Sequence, residues 1–173
     1  MFKLNTKNLV IISLLSSILC ILSPFTINIS IIPFSISTLL IMIYAIVFDI
    51  HISFFSVLIY IILGVVGLPV FSGGTGGVQK LLSPSGGFII GYIFLCLIIA
   101  VLYNDKYNFF IKYLILLLAN IIMYFIGCVH FMYMTNSNIN TALVTCVVPF
   151  IITDNIKIIL SIFMSHRIQQ SIK

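Results

Sequence analysis

"FSISTLLIMIYAIVFDIHISFFSVLIYIILGVV", Phe34 to Val66, is an apolar run interrupted only by "DIH" at Asp49 to His51. How it is read decides the fold. As a single α-helix these 33 residues would extend about 50 Å at 1.5 Å per residue. That is well beyond the ~30 Å hydrocarbon core of a bilayer. As a hairpin turning at Asp49 to His51, the same residues give two short, tightly packed spans.

The bilayer enters the argument through composition. Of 173 residues, 62% are hydrophobic and only 6% charged, with a mean hydropathy of +1.32. Soluble domains carry about 25% charged residues. A globule of this size cannot hide so much apolar surface, so lipid must be its solvent. At ~20 residues per span, the length accommodates about six spans and no appreciable soluble domain. The expected fold class is an all-α integral membrane protein of six transmembrane helices. The spans lie near residues 8–23, 34–48, 52–66, 86–103, 108–130 and 139–165, in one domain over 1–173. The first run reads as a retained helix, because no small-x-small cleavage site follows it.

Charge bias chooses the hairpin, because Lys and Arg accumulate on the cytoplasmic side. With six spans, Lys3, Lys7, Lys106, Lys112, Arg167 and Lys173 share one side and Lys80 stands opposite. With one long span, Lys3, Lys7 and Lys80 oppose Lys106, Lys112, Arg167 and Lys173. The first arrangement is strongly polarised and the second is not. Both termini are therefore expected in the cytoplasm, in a bacterial plasma membrane. The segment "GLPVFSGGTGGVQKLLSPSGGF", Gly67 to Phe88, is expected on the outer side.

Several function classes drop out. The eight basic residues are scattered and form no nucleic-acid patch. Cys20, Cys96, Cys128 and Cys146 lie at wide spacing inside apolar runs and read as small packing residues. Three histidines in three separate elements give no metal spacing. H-E-x-x-H and G-x-S-x-G are missing, and no second carboxylate joins Asp154 predictably. The chain is not expected to be an enzyme, and no metal or cofactor is implied.

What remains is a charged couple and a loop. Asp154 is the only acid deep in an expected span, and Lys157, three residues on, shares its helix face. An intramembrane charge costs ~3 kcal/mol or more on insertion scales, so such residues face a cavity and pair. A helix-locking ion pair with no ligand is the alternative. The loop holds seven of the ten glycines and is read as neither helix nor strand. Gly73, Gly74, Gly76 and Gly77 let backbone approach a ligand closely, while Thr75, Gln79, Ser83 and Ser85 supply donors and acceptors. Ser85 is placed as the N-cap of the following helix. The loop is not a phosphate-binding P-loop, since the G-K-[ST] ending is missing. A plain re-entrant turn is the competing reading. His130 reads as a satisfied interfacial histidine. Tyr92, Tyr124 and Tyr133 either wall a pocket or form an interfacial belt; belt or packing is favoured, and Tyr92 is kept as a candidate.

"GLPVF" followed by "SGGTGG", then "SPSGGF" and "GY", resembles the signature of the BioY family, the biotin-specific substrate-binding (S) components of energy-coupling-factor (ECF) transporters. "PFIITDNIK" is similar to that family's Pro-Phe, then Asp-x-x-Lys, pattern in the last helix. "IPFSIS", Ile32 to Ser37, resembles its V-P-F-T-x-Q element. The resemblance implies six helices, cytoplasmic termini and an outward-open biotin pocket. It implies association with a transmembrane coupling subunit and two ATPases, which supply the energy that the chain itself lacks. By position, Asp154 would accept a biotin ureido N–H, and Lys157 would orient Asp154 or meet a ligand oxygen. Gly73, Gly74, Gly76 and Gly77 would shape the loop, and Lys80 would face the ligand carboxylate. Ser13 and Ser17 stand where the family usually has alanines for docking a partner helix. The sequence departs from the pattern at Ser83, Ser85, Thr153 and Asn155 as well. An S component for another vitamin, or a structural membrane subunit without ligand, are the rival readings.

Overall fold

A computed structural model describes residues 5–27 and 34–172. Lys3, Lys173, and Ile32 and Pro33 of the "IPFSIS" element lie outside the described residues. The elements run α1 (Thr6–Leu22), β1 (Thr26–Ile27), β2 (Phe34–Ser35), α2 (Ser37–Val47), α3 (Ile50–Val66), α4 (Val78–Leu81), α5 (Gly86–Leu102), α6 (Phe109–Thr135) and α7 (Ile139–Cys146). A 3-10 turn (Val148–Phe150) then leads into α8 (Ile151–Ile172).

The Phe34–Val66 run is a helical hairpin. α2 ends at Val47, and α3 restarts behind Asp49, whose extended backbone (φ −56°, ψ 149°) breaks the helix. Its carbonyl accepts from Ser53 N at 3.0 Å, and Ser53 Oγ donates back to Tyr44 O at 2.7 Å. Two polar residues thus close the turn inside an apolar run. α2 starts at Ser37, three residues later than expected, because Phe34 and Ser35 pair antiparallel with Ile27 and Thr26.

The last expected span, 139–165, is not one helix. Pro149 has no amide hydrogen and its ring crowds the carbonyl four residues back. The chain therefore breaks into α7, the 3-10 turn and α8, and α8 continues to Ile172. The glycine segment is likewise not wholly irregular, since Val78–Leu81 forms one helical turn.

Inside the bundle, the small residues set the approach distances. Ser16 Oγ donates to Ser56 O at 3.0 Å, fastening α1 to α3. Between α5 and α6, a Cβ on Gly127 would lie 2.4 Å from the Phe88 ring, so only glycine lets that ring seat on α6. Leu19, Ile41, Met42, Leu95, Ile99, Leu116 and Ile158 form the core. The outer faces are as apolar as the inner ones. Val101, Phe125, Ile152 and Phe163 are 60–73% exposed, which suits a lipid solvent. Two helical stretches, Phe109–Thr135 and Ile139–Ser171, are long and apolar enough to cross a membrane, and four shorter apolar helices complete the bundle.

Candidate functional site

The break at Pro149 aims the start of α8 into the bundle. Asp154 sits in its first turn, where unpaired amides and the helix dipole favour a negative charge. Its Oδ1 lies 2.8 Å from Lys157 Nζ. Lys157 also donates to Thr38 Oγ1 in the first turn of α2, at 2.9 Å. Tyr124 of α6 donates its hydroxyl to Asp154 Oδ2. The couple is almost sealed from solvent, with Asp154 4% and Lys157 6% exposed. Apart from the ion pair, Asp154 Oδ1 accepts no hydrogen bond among the described residues. The couple is thus tied to α2 through Thr38 and to α6 through Tyr124.

A cavity of about 40 Å³ is lined in part by Asp154 and Lys157. Its polar wall is Ser35, Thr38, Tyr124, Asp154 and Lys157; its apolar wall is Phe88, Tyr92, Met123 and Phe150. Such a volume holds a few waters. Drug-sized ligands occupy pockets of roughly 300 Å³ or more, so a ligand of that size requires the apolar wall to spread. Met123 is the flexible member of that wall.

Above the cavity lies a belt of buried hydroxyls. Ser35 Oγ and Ser37 Oγ share a hydrogen bond, and Ser37 Oγ donates to Ser23 Oγ at 2.8 Å. Beside them the glycine segment folds over. Phe71, 1% exposed, packs edge-on against Tyr60 at 5.6 Å between centroids. Gly73 and Gly74 turn the chain in the left-handed region (φ 76° and 68°). Gly73 N then donates to Pro24 O at 3.2 Å, tying the segment to the root of β1.

Of the sequence candidates, the structure brings Asp154, Lys157 and Tyr92 together at the cavity. Gly73, Gly74, Thr75, Gly76, Gly77, Gln79, Lys80 and Ser85 are not among its walls. The reason is that Phe71 inserts toward the bundle while the turn after it faces out, leaving Gly73, Gly74, Thr75 and Gln79 exposed. Lys80 is half-buried, and that burial lowers its pKa below the ordinary lysine value. Ser85 occupies the N-cap position of α5 but does not cap it; its hydroxyl pairs with Ser83 Oγ at 3.1 Å. His130 Nε2 lies 3.1 Å from Ser83 O, as a satisfied interfacial histidine should. Tyr133 is 79% exposed, at a belt position, whereas Tyr124 walls the cavity. Ser13 and Ser17 are exposed on α1 and bond only to their own helix, at Leu9 O, Val10 O and Ser13 O.

Sequence reasoning missed Thr38, Ser35, Phe88, Met123 and Phe150. Ser35 and Thr38 stand within or next to "IPFSIS", Phe88 ends "SPSGGF" and Phe150 belongs to "PFIITDNIK"; Met123 carried no signal. Asn120, one turn from Tyr124, was missed too: it is 2% exposed, and its Oδ1 has no partner among the described residues.

Comparison with known proteins agrees with this geometry. The BioY family model matches residues 1–173. "Biotin transporter BioY2" of Lactococcus lactis subsp. cremoris is 34% identical over 159 residues, covering 90% of this chain and 87% of the relative. "Probable biotin transporter BioY" of Pyrococcus horikoshii is 28% identical over 167 residues, covering 96% and 98%. Among solved structures, the S-component for biotin from an ECF-type ABC transporter superposes with a TM-score of 0.85 at 25% identity, covering 98% of this chain and 95% of that one. The chain belongs to the BioY family.

Proposed function

We propose that this chain is the biotin-binding S component of an ECF-type uptake transporter, a multi-pass plasma-membrane protein with both termini in the cytoplasm. It captures biotin from outside and delivers it inward with a coupling subunit and two ATPases. The observation that carries the reading is the buried Asp154–Lys157 couple, braced by Tyr124 and lining a cavity. A charged couple at lipid depth is costly, and such residues face a cavity or a ligand path. The ureido ring of biotin presents two N–H donors and a carbonyl. One N–H fits Asp154 Oδ1, and the carbonyl fits a donor such as the Lys157 ammonium. The thiophane ring and valeryl chain suit the wall of Phe88, Tyr92, Met123 and Phe150. The chain contributes recognition; ATP-driven work belongs to the partners.

The test is retention of radiolabelled biotin by the purified chain, with thiamine and riboflavin as competitors. Biotin is expected to bind and neither competitor to displace it. Equal displacement by another vitamin would assign a different S component, and no binding at all would return the couple to a purely structural role.

A further inference from the structure

The end of the bundle away from Asp154 carries a second built feature. Two abutting hollows of about 160 and 150 Å³ lie between the α5–α6 turn and the last turns of α8. They share Asp105, Lys112, His166 and Gln169. One end is apolar: Ile162, Phe163 and Phe109, with the two phenylalanine rings 5.9 Å apart. The other end is polar. From Ile162 to Gln169 the helix rises about 10 Å, slightly more than the ~5–7 Å of headgroup region on each side of the hydrocarbon core. The groove therefore crosses from acyl-chain depth to phosphate depth.

Its polar end is set up for an anion. Lys112 Nζ is held over the Tyr103 ring, 5.5 Å from its centroid, and forms no ion pair among the described residues. Arg167, the next residue after His166, lines an adjoining hollow with Phe163 and Met164. Asp105 is the opposing charge, and Gln169 Nε2 donates to its Oδ2 at 3.2 Å. Gln170 Nε2 meets His166 Nε2 at 3.0 Å. Lys106 is exposed in the same turn, so the polar end and its adjoining hollow offer Lys112, Lys106 and Arg167 against one carboxylate that is already hydrogen-bonded.

We propose that this groove binds one anionic phospholipid, its phosphate between Lys112 and His166 and an acyl chain along Phe109 and Phe163. Basic pockets between membrane helices select such headgroups, at about fivefold in affinity for each Lys or Arg near the surface. A phosphate group is the chemistry recognised; the apolar ramp is what favours a lipid over free phosphate.

The experiment is native mass spectrometry of the purified chain with equal amounts of phosphatidylglycerol or phosphatidylcholine, and separately with inorganic phosphate. Phosphatidylglycerol is expected to be retained over phosphatidylcholine, and inorganic phosphate to displace little of it. Lys112→Gln should weaken retention about fivefold and Lys112→Gln/Arg167→Gln about 25-fold, with biotin retention unchanged as the check on folding. Lys7→Gln, outside the groove, should change nothing. Equal retention of both lipids, undiminished retention by the double variant, or full displacement by inorganic phosphate would each overturn the proposal. So would loss of coupling-subunit assembly in the double variant with lipid retention intact, which would make this face a protein-docking surface.

Discussion

Asp154→Asn separates recognition from structure most sharply. The substitution keeps shape and one acceptor but removes the charge 2.8 Å from Lys157 Nζ. Lys157 is 6% exposed, so its ammonium would be left without a counter-charge. Breaking a buried pair from one side costs about 3–5 kcal/mol. Biotin loses a charge-assisted hydrogen bond of about 1.5–3 kcal/mol, or roughly 10- to 150-fold in affinity. These two losses have different remedies. Asp154→Leu/Lys157→Met removes both charges and should recover most of the stability, since apolar replacement of a buried pair is often neutral or stabilising. It should not recover binding. Thermal unfolding and radiolabelled biotin retention, measured on wild type, single and double variants, give the four numbers needed. If the double variant bound biotin within about threefold of wild type, the couple would be a helix lock, and the account of the site would fail.

Tyr124→Phe removes the hydroxyl donated to Asp154 Oδ2 and leaves a buried acceptor short by one bond. About 1–3 kcal/mol follows, to be read as roughly 5- to 150-fold weaker biotin retention by a chain that still purifies as a folded bundle. Gly76→Ala and Gly73→Ala should differ in unfolding temperature. A Cβ at Gly76 would stand 2.2 Å from Leu68 O, whereas one at Gly73 meets nothing and bears only the left-handed backbone penalty of ~1–2 kcal/mol. The larger loss is expected at Gly76, and equal losses would contradict the loop geometry. Ser13→Leu/Ser17→Leu places bulk on the exposed face of α1. Biotin binding by the isolated chain should be unchanged, and co-purification with a coupling subunit should be lost.

The hairpin was legible because two independent quantities agreed, helix length against bilayer thickness and the charge bias across Asp49 to His51. The Asp154–Lys157 couple was legible because its i, i+3 spacing is local and its burial follows from the apolar run around it. The cavity walls were not. Met123 is an ordinary member of an apolar helix, Phe88 and Phe150 were motif residues with no readable direction, and only the packing of α5, α6 and the 3-10 turn brings the three to one place. The glycine segment misled for a related reason. Its backbone freedom could be read from composition, but the side chain it carries inward, Phe71, could not be told from any other phenylalanine. Pro149 was visible, yet its consequence depends on helix direction: it lets α8 begin at the cavity and puts Asp154 in the first turn.

Glycines that do not touch the cavity can still govern it, because they are fastened to what does. Gly73 N holds Pro24 O. Pro24 adjoins Ser23, whose hydroxyl is bonded through Ser37 to Ser35, and Ser35 is a cavity wall. On the other side, Phe71 braces Tyr60, whose hydroxyl reaches the same Ser23 and Ser37. A wall that must spread to admit a ligand far larger than 40 Å³ is thus coupled to the glycine turn by hydrogen bonds and one aromatic contact. Rigid packing there would oppose spreading, while glycines at positive φ allow the turn to shift with little change in side-chain packing. On the proposed reading, the glycine-rich run would serve access to the site, and the contacts with the ligand would fall to Asp154, Lys157 and the residues that face them.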